Sequence, residues 1–237
     1  MEQIEAINQI FPEPDYIVKK QTEGSYDIET ADDFCFSIKI GENNIYISTL
    51  SKCNISGTEI LNKIEKLAKL IPGITKINLT DGSVIMKKCG TKTYMLSLAY
   101  IKLLTKGKSW YNSLGYISDD YENKEKHISE IINMPAEEFF EKIGKPEIIP
   151  FDELTVQQYF IKLLKPEYNT PEMCTQISSI LRTIIFSGIL KYDNQLTKHI
   201  QRGGGKSRKQ RKSKKSRKSR KNKNILNYKW MMRKKNL

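Results

Sequence analysis

The chain has 237 residues, 38% of them hydrophobic, which is enough to bury a core in one or two domains. The formal net charge is +13, but the residues from Arg202 onward include 17 Lys or Arg and no Asp or Glu. Subtracting these 17 from the 40 basic residues of the whole chain leaves 23 basic against 27 acidic residues in 1–201, a net charge of −4. This segregation argues against a basic binding face on the folded part and is typical of an interaction tail.

The cysteines and histidines give no metal-binding pattern. No C-x-x-C pair occurs, and the chain has two histidines and four irregularly spaced cysteines, Cys35, Cys53, Cys89 and Cys174. A zinc site is therefore not expected, and no other metal is predicted. Reduced, partly buried thiols are predicted instead, as in an intracellular protein.

Signal and membrane segments are also not expected. The N-terminal sequence MEQIEAINQIF is acidic and lacks the charged-then-apolar pattern of a secretory signal, so a secreted protein is not predicted. The longest apolar stretch, residues 177–190, is shorter than the about 20 residues of a membrane span and contains Arg182. This stretch predicts a buried helix, and no membrane partner is expected.

The first predicted domain covers residues 34–128 and follows a polar N-terminal extension, residues 1–33. Two alternating apolar runs, 34–40 and 45–50, flank Gly41-Glu42-Asn43-Asn44 and predict a β-hairpin.

A helix and a strand are predicted next. Ser56-Gly57-Thr58-Glu59 matches a capping box ahead of an apolar stripe from Ile60 to Ile71, and Pro72-Gly73 ends the helix. Residues 74–79 predict a strand that presents two apolar residues to one side, and Asp81-Gly82 predicts a turn.

The end of this domain combines short elements. We predict a small hairpin within 83–94, a buried helix over 95–104, one helical turn capped by Ser109, and extended chain at 115–117. Three helices beginning near Pro135, Val156 and Pro171 then form a second, helical region, residues 129–200.

The sequence therefore predicts an α+β (or α/β) fold. A mixed sheet with helices precedes the helical region, and a disordered basic tail covers residues 201–237.

The tail contains a regular repeat behind the flexible Gly203-Gly204-Gly205 joint. Residues 206–223 divide into six triplets of the form Lys, polar residue, Lys or Arg, without one apolar residue. Such a segment is expected to be disordered and to bind phosphate backbones with no sequence preference. The alternatives are a nuclear or nucleolar localisation signal and a charge run without a partner. The predicted nucleic-acid-binding residues are Lys206, Arg208, Lys209, Arg211, Lys212, Lys214, Lys215, Arg217, Lys218, Arg220, Lys221 and Lys223.

The apolar segment Ile225–Met232 follows this repeat. Its aromatic residues can stack on bases, but six apolar residues so close together favour docking, on a protein partner or on the folded part of the same chain.

Residues 34–117 resemble the central part of a GNAT-type N-acetyltransferase. The segments that carry the resemblance are IYISTL (45–50), KCNISGTE (52–59), the helix 60–71, ITKINL (74–79) and WYNSLGY (110–116), which is similar to the family's Y-x-x-x-G-F-like signature. The resemblance implies acetyl-CoA as cofactor. It also implies backbone amides at Ser56, Gly57 and Thr58 that cradle the pyrophosphate, and Tyr111 as the acid that protonates the CoA thiolate. Asp81 is the nearest candidate for the general base.

Each of these residues also has a purely structural interpretation. Trp110 and Tyr111 are aromatic residues that can pack in the core at a helix end. Ser56 is a helix cap in either case, and Asp81 before Gly82 is a usual turn residue.

The block LTKGKSWYNSLGY (104–116) and the terminus beginning GGGKSRKQRK at 203 resemble proteins of nucleocytoplasmic large DNA viruses (giant viruses). This resemblance implies a virus factory, a virion or the host nucleus as the location. The leading hypothesis is a viral, nucleic-acid-associated protein with a degenerate acetyltransferase-like domain. The alternatives are an active acyl-CoA-dependent N-acetyltransferase and a structural virion protein that neutralises packaged genome.

Overall fold

A computed structural model describes residues 2–201 of the chain. The predicted basic tail, its twelve binding positions and the segment Ile225–Met232 lie outside the described residues. The described part combines a mixed six-stranded sheet, a separate two-stranded sheet and helices, which confirms the α+β prediction.

Strands predominate in the first half of the described chain, whereas helices dominate the second half. A single 3-10 turn, Pro166–Tyr168, precedes the last helix. The elements in chain order are α1 (Gln3–Ile10), β1 (Ile17–Thr22), β2 (Ser25–Glu29), β3 (Phe34–Ile40), β4 (Asn44–Leu50), α2 (Gly57–Leu70), β5 (Lys76–Thr80), β6 (Val84–Cys89), β7 (Lys92–Ser97), α3 (Leu98–Lys106), α4 (Trp110–Ser113), α5 (Tyr121–Asn133), α6 (Ala136–Ile143), α7 (Val156–Leu163), α8 (Pro171–Ser187) and β8 (Gln195–His199).

The six-stranded sheet has the order β1-β2-β3-β4-β5-β8. Its neighbouring strands are antiparallel except for β4 and β5, which are parallel. Parallel neighbours require a crossover connection, and α2 provides it. β5 and β8 pair in register from Lys76↔His199 to Thr80↔Gln195, so a strand from the end of the described chain completes the sheet.

One hydrophobic core lies between this sheet and the helices α1 and α2. Alternate strand residues such as Phe36, Ile45 and Ile77 point into it and are fully buried. The apolar stripe of α2 covers them, since its residues at helical spacing from Ile60 to Ala68 are buried.

A second core is built almost entirely from helices. It joins the apolar faces of α3, α5, α6, α7 and α8 around the stacked and tilted rings of Phe140, Tyr159 and Phe160. The hairpin β6–β7 contributes Leu96 to this core. This hairpin therefore belongs to the helical side and is not paired with the large sheet.

Several predicted elements are confirmed. The hairpin β3–β4, helix α2 with Ser56 as its cap, strand β5, the extra hairpin after Gly82 and the Ser109 cap are all present. The predicted helix over 95–104 is wrong at its start, because residues 95–97 pair with β6 and the helix begins at Leu98. It ends at Gly107, which adopts a left-handed conformation with φ of 76°.

The sequence analysis missed five elements. The segment 1–33 was interpreted only as a polar extension, but it contains α1, β1 and β2, and both strands join the large sheet. Helix α5 and strand β8 were also not predicted.

The prediction of reduced thiols is wrong. All four cysteines pair, as Cys35–Cys53 with Cα atoms 5.2 Å apart and as Cys89–Cys174 with Cα atoms 6.5 Å apart. The first bridge links β3 to the loop before α2, and the second links the end of β6 to α8. Spacing along the chain gave no sign of these pairs because the partners are 18 and 85 residues apart and the fold alone brings them together.

Within residues 2–201, no helix is both long enough and apolar enough to cross a membrane.

Candidate active site

A cleft opens where the parallel strands β4 and β5 stop pairing. Their register runs from Asn44↔Lys76 to Ile47↔Leu79, but β4 continues to Leu50 while it remains paired with β3. The final residue of β5, Thr80, pairs with β8 instead. The two strands therefore part beyond Leu79, and the cleft between them has a volume of about 720 Å³.

A β-bulge at Ser48 shapes one wall of this cleft. Ser37↔Thr49 and Ile38↔Ile47 are successive partners of β3 and β4, so Ser48 is the additional residue. A bulge turns the strand locally and leaves one residue unpaired. Ser48, Thr49 and Leu50 all line the cleft, and they form the end of β4 that is no longer paired with β5.

The N-terminus of α2 forms a second wall. The Ser56 hydroxyl accepts a hydrogen bond from the Glu59 amide at 3.2 Å, which caps the helix. Ser56 and Gly57 line the cleft, whereas Thr58 is not among the lining residues. Gly57 permits a close contact, because a Cβ atom there would lie only 2.8 Å from Cη2 of Trp110.

The signature WYNSLGY forms a tight local structure on the third wall. Ser109 and Asn112 form a capping box in which each side chain bonds the other residue's backbone amide at 3.2 Å. The Asn112 amide nitrogen also donates to the Tyr116 carbonyl at 2.9 Å, while Gly115 takes the positive φ of 86° that reverses the chain. These bonds fix the ring of Tyr111 in the cleft wall.

Tyr111 is both a cleft residue and a core residue. Its side chain is 7% exposed and its ring packs 4.7 Å from that of Trp110, so the packing interpretation is confirmed for both aromatic residues. Burial, with a smaller effect from the charge of Asp81, raises the pKa of the Tyr111 hydroxyl to about 12. The hydroxyl is therefore a proton donor throughout the neutral range.

Asp81 is held inside a hydrogen-bonded network next to the cleft. One carboxylate oxygen accepts from the Ser83 amide at 3.2 Å and from the Ser83 hydroxyl at 2.6 Å, and the other accepts from the Tyr192 hydroxyl at 2.6 Å. Burial and the bond to Asp81 raise the pKa of Tyr192, so this hydroxyl stays protonated and continues to donate. Asp81 is 5% exposed and does not line the cleft. These contacts support the turn interpretation of Asp81.

The structure thus brings Tyr111 into the same cleft as Ser56 and Gly57, which precede it by 55 and 54 residues in the sequence. It adds Ser48, Thr80 and Ser83, which the sequence analysis missed. The bulge at Ser48 depends on pairing with β3 and leaves no local signal. Among the described residues that line the cleft there is no Asp, Glu or His, and Lys52 is the single lysine.

The described residues contain no group of three or more His, Cys, Asp or Glu placed to hold a metal ion.

Comparison of the chain with protein-family models, with curated proteins and with solved structures gave no match.

Proposed function

We propose that the folded part is an acyl-CoA-dependent N-acetyltransferase that binds acetyl-CoA in the cleft between β4 and β5. The observation that carries the proposal is the divergence of two parallel strands beside a helix N-terminus, with Tyr111 on the facing wall. This arrangement agrees with the order of elements in the GNAT-like segment 34–117. It favours an active enzyme over a degenerate domain, because the cleft is open and three of the four residues implied by the resemblance line it.

The N-terminus of α2 is suited to the pyrophosphate of the cofactor. Amides of the first helical turn have no intrahelical partner, and the helix dipole favours negative charge there. Ser56 and Gly57 are therefore the proposed pyrophosphate residues. Trp110 lies against Gly57 and closes one side of this position.

The uncovered edge of β4 is suited to the extended arm of the cofactor. Ser48 to Leu50 line the cleft, and β4 is no longer paired with β5 at these residues. The pantetheine arm of CoA carries two amides, which can pair with such an edge as a short strand does. A ligand held in this way runs from α2 toward Tyr111.

Tyr111 is proposed to donate a hydrogen bond to the departing sulfur. Bound acetyl-CoA would supply an activated thioester, whose acetyl group moves to an amine as a C–N bond forms and the C–S bond breaks. A hydroxyl with a pKa of about 12 is a weaker acid than a thiol of about 8.5, so complete proton transfer to the thiolate is unfavourable by roughly 5 kcal/mol. Tyr111 therefore stabilises the thiolate and keeps its proton, and the amine's proton passes to solvent.

Thermal unfolding of the full chain with acetyl-CoA tests the proposal. At 100 times its Kd, a ligand that binds only the native state stabilises it by about 2.7 kcal/mol. ATP serves as the control, because it supplies a polyphosphate to the basic tail but has no pantetheine arm. We expect stabilisation by acetyl-CoA well above that by ATP. Equal effects of the two ligands, or none, at millimolar concentration would contradict cofactor binding in the cleft.

We also propose that the C-terminal basic segment binds nucleic acid. It carries 17 positive charges without an acidic residue, whereas the body of the chain, residues 1–201, has a net charge of −4.

Of the locations implied by the viral resemblance, we propose the virion. Cytosol and nucleus keep thiols reduced, and the two disulfides are more compatible with an oxidising environment.

A further inference from the structure

The hairpin β6–β7 forms one lip of the cleft. It leaves β5 directly after the turn at Gly82, and its first residues, Ser83 and Val84, line the cleft. Leu98, which follows β7, lines the cleft as well, so both ends of the hairpin are fixed at the cleft. A molecule that reaches the cleft from this side must pass over the hairpin.

The outward side of this hairpin is apolar. Val84 is 48% exposed, and Met86 and Met95, which are directly opposite each other in the register, are each 64% exposed. We call these three residues the hairpin face. Cross-strand partners have Cβ atoms about 5 Å apart, so the two methionines make one continuous surface with Val84 beside them. Flexible, polarisable methionine side chains suit surfaces that adapt to a partner.

The hairpin is held in place from its inner side. Leu96 is buried in the helical core, and the Tyr94 hydroxyl bonds the Pro171 carbonyl at 3.0 Å and the Thr175 hydroxyl at 2.9 Å. The Cys89–Cys174 disulfide adds a covalent link to α8. The hairpin face therefore lies on an anchored element, and the inner side of that element is already packed against the helical core.

Charge in this part of the sequence has one sign. Residues 82–118 contain six lysines and no Asp or Glu, although the folded part as a whole is acidic. Lys88 is exposed and alternates with Met86 along β6, so it shares the hairpin face. By the same alternation, Lys87 and Lys92 belong to the inner side of the hairpin. An apolar surface with Lys88 at its end complements a partner that carries apolar and acidic residues together.

We propose that the hairpin face binds the acceptor of the transferase, and that the acceptor is a polypeptide with apolar side chains next to acidic residues. The inference rests on the proposed function and names its substrate class. The inference depends on the continuity of the cleft with the hairpin face, because Val84 belongs to both. A small amine would fill the cleft without contact to Met86 and Met95.

Two other occupants are disfavoured by charge. The chain's own segment Ile225–Met232 is embedded in a stretch with 17 basic residues and no acid, so it would bring lysines against lysines. A second copy of the hairpin would do the same at Lys88, which lies on the hairpin face of each copy.

Fluorescence anisotropy with three labelled peptides tests the inference. The first peptide carries Leu, Met and Glu, the second has Ser in place of the apolar residues, and the third has Arg in place of Glu. Titrations use the full chain with CoA at about 0.15 M salt, where contacts between charges still contribute, and again at about 0.5 M salt, where binding by the basic tail is screened. At the lower salt we expect the third peptide to bind more weakly than the first, because its Arg faces Lys88. We expect the first peptide to bind about tenfold more tightly than the second, because two or three apolar side chains lose contact with water.

A substitution locates the binding. Met86→Thr combined with Met95→Thr keeps β-propensity and is expected to weaken binding of the first peptide about tenfold, with the acetyl-CoA thermal shift unchanged. Phe186→Ser is the matched control, since Phe186 is an 86% exposed apolar residue on α8 that is not in the cleft lining. This control is expected to bind the peptide normally.

The outcomes separate the two proposals. A normal shift with acetyl-CoA but equal binding of all peptides, or no effect of the double substitution, overturns the hairpin face and leaves the transferase standing. Peptide binding without any acetyl-CoA shift contradicts the transferase while the face still binds a polypeptide. Binding of the full chain to phosphatidylserine vesicles that the double variant loses would assign the face to a membrane and would also overturn the inference.

Discussion

Tyr111 is a core aromatic residue that also lines the cleft, so its packing and its proposed chemical role concern different parts of one side chain. Its ring packs on Trp110 and Tyr116, with centroids 4.7 and 6.1 Å away. Removing only the hydroxyl therefore separates the two roles.

Tyr111→Phe is expected to lower kcat for acetyl transfer by about 10² to 10³, the usual effect of losing one donor to a developing negative charge. The acetyl-CoA thermal shift should persist because the ring remains in the core. Tyr116→Phe is the control: its hydroxyl is buried without a hydrogen-bond partner among the described residues. Removing that hydroxyl should leave the rate unchanged and should not lower the melting temperature. Rates that fall only in proportion to the folded fraction would show that Tyr111 is purely structural.

The pH dependence of the rate is a second consequence of the residues in the cleft. With no Asp, Glu or His in the described lining, the acceptor amine must lose its proton to solvent. The raised pKa of Tyr111 keeps its acid form present up to about pH 12. For an acceptor with an α-amino group, kcat/KM should rise through about pH 8 and then stay level to pH 10. A bell-shaped profile with a limb below pH 7 would reveal a titrating protein base other than the described residues of the cleft lining and would contradict this expectation.

At the scale of elements, the N-terminus of α2 would connect helix stability to the proposed cofactor binding. Ser56→Ala removes the cap and is expected to destabilise the protein by about 1 kcal/mol and to weaken acetyl-CoA binding, because the first turn frays where the pyrophosphate would be held. Thr155→Ala removes the cap of α7, which is not in the cleft lining, and should cost similar stability without a change in Kd. Urea denaturation and isothermal titration measure the two quantities. An equal loss of affinity in both variants would mean that affinity follows stability alone.

Elements with local signals could be predicted from the sequence. The β3–β4 hairpin has a turn between alternating runs, α2 has its cap and apolar stripe, and α8 has Thr170 and Pro171 at its start. The elements that could not be predicted depend on partners that are distant in the sequence. β8 is recognisable as a strand only because it pairs with β5, more than a hundred residues earlier, and β1 owes its place to pairing with β2 at an edge that carries mostly exposed side chains.

The residues of the candidate site fall into the same two groups: those that belong to local motifs and those that only the fold brings together. Ser56, Gly57 and Tyr111 belong to short motifs that a resemblance can identify. The bulge at Ser48, the contact of Tyr192 with Asp81 and the disulfide that anchors β6 to α8 join residues that are remote in sequence. For these the fold itself is the source of the information, since neither spacing nor residue type shows which partner is chosen.

At the scale of the whole molecule, two segments of the sequence contain basic residues and no acidic residue. The terminal segment from Arg202 is uniformly basic, and within the acidic body residues 82–118 carry six lysines without an acid, which leaves a net charge of −10 on the other residues of 1–201. Both basic segments therefore lie next to acidic sequence. We therefore expect nucleic-acid affinity in the terminal segment, whose 17 positive charges are nearly three times the six of residues 82–118.

We predict that the full chain binds duplex DNA and RNA of any sequence and that a chain ending at Gln201 does not, because the remaining body with its net charge of −4 is repelled by phosphates. If roughly 6–10 tail charges contact phosphates, log K should fall against log salt with a slope of about −5 to −9. Replacing the tail arginines with lysine should change affinity little, since neutralising a phosphate does not need a bidentate guanidinium. Fluorescence anisotropy over a salt series measures each quantity. Binding by the truncated chain would locate the site in residues 1–201, and the lysines of residues 82–118 would be the first to neutralise by substitution. A strong loss of affinity on the arginine replacement would indicate stacking or base contacts in place of simple charge neutralisation.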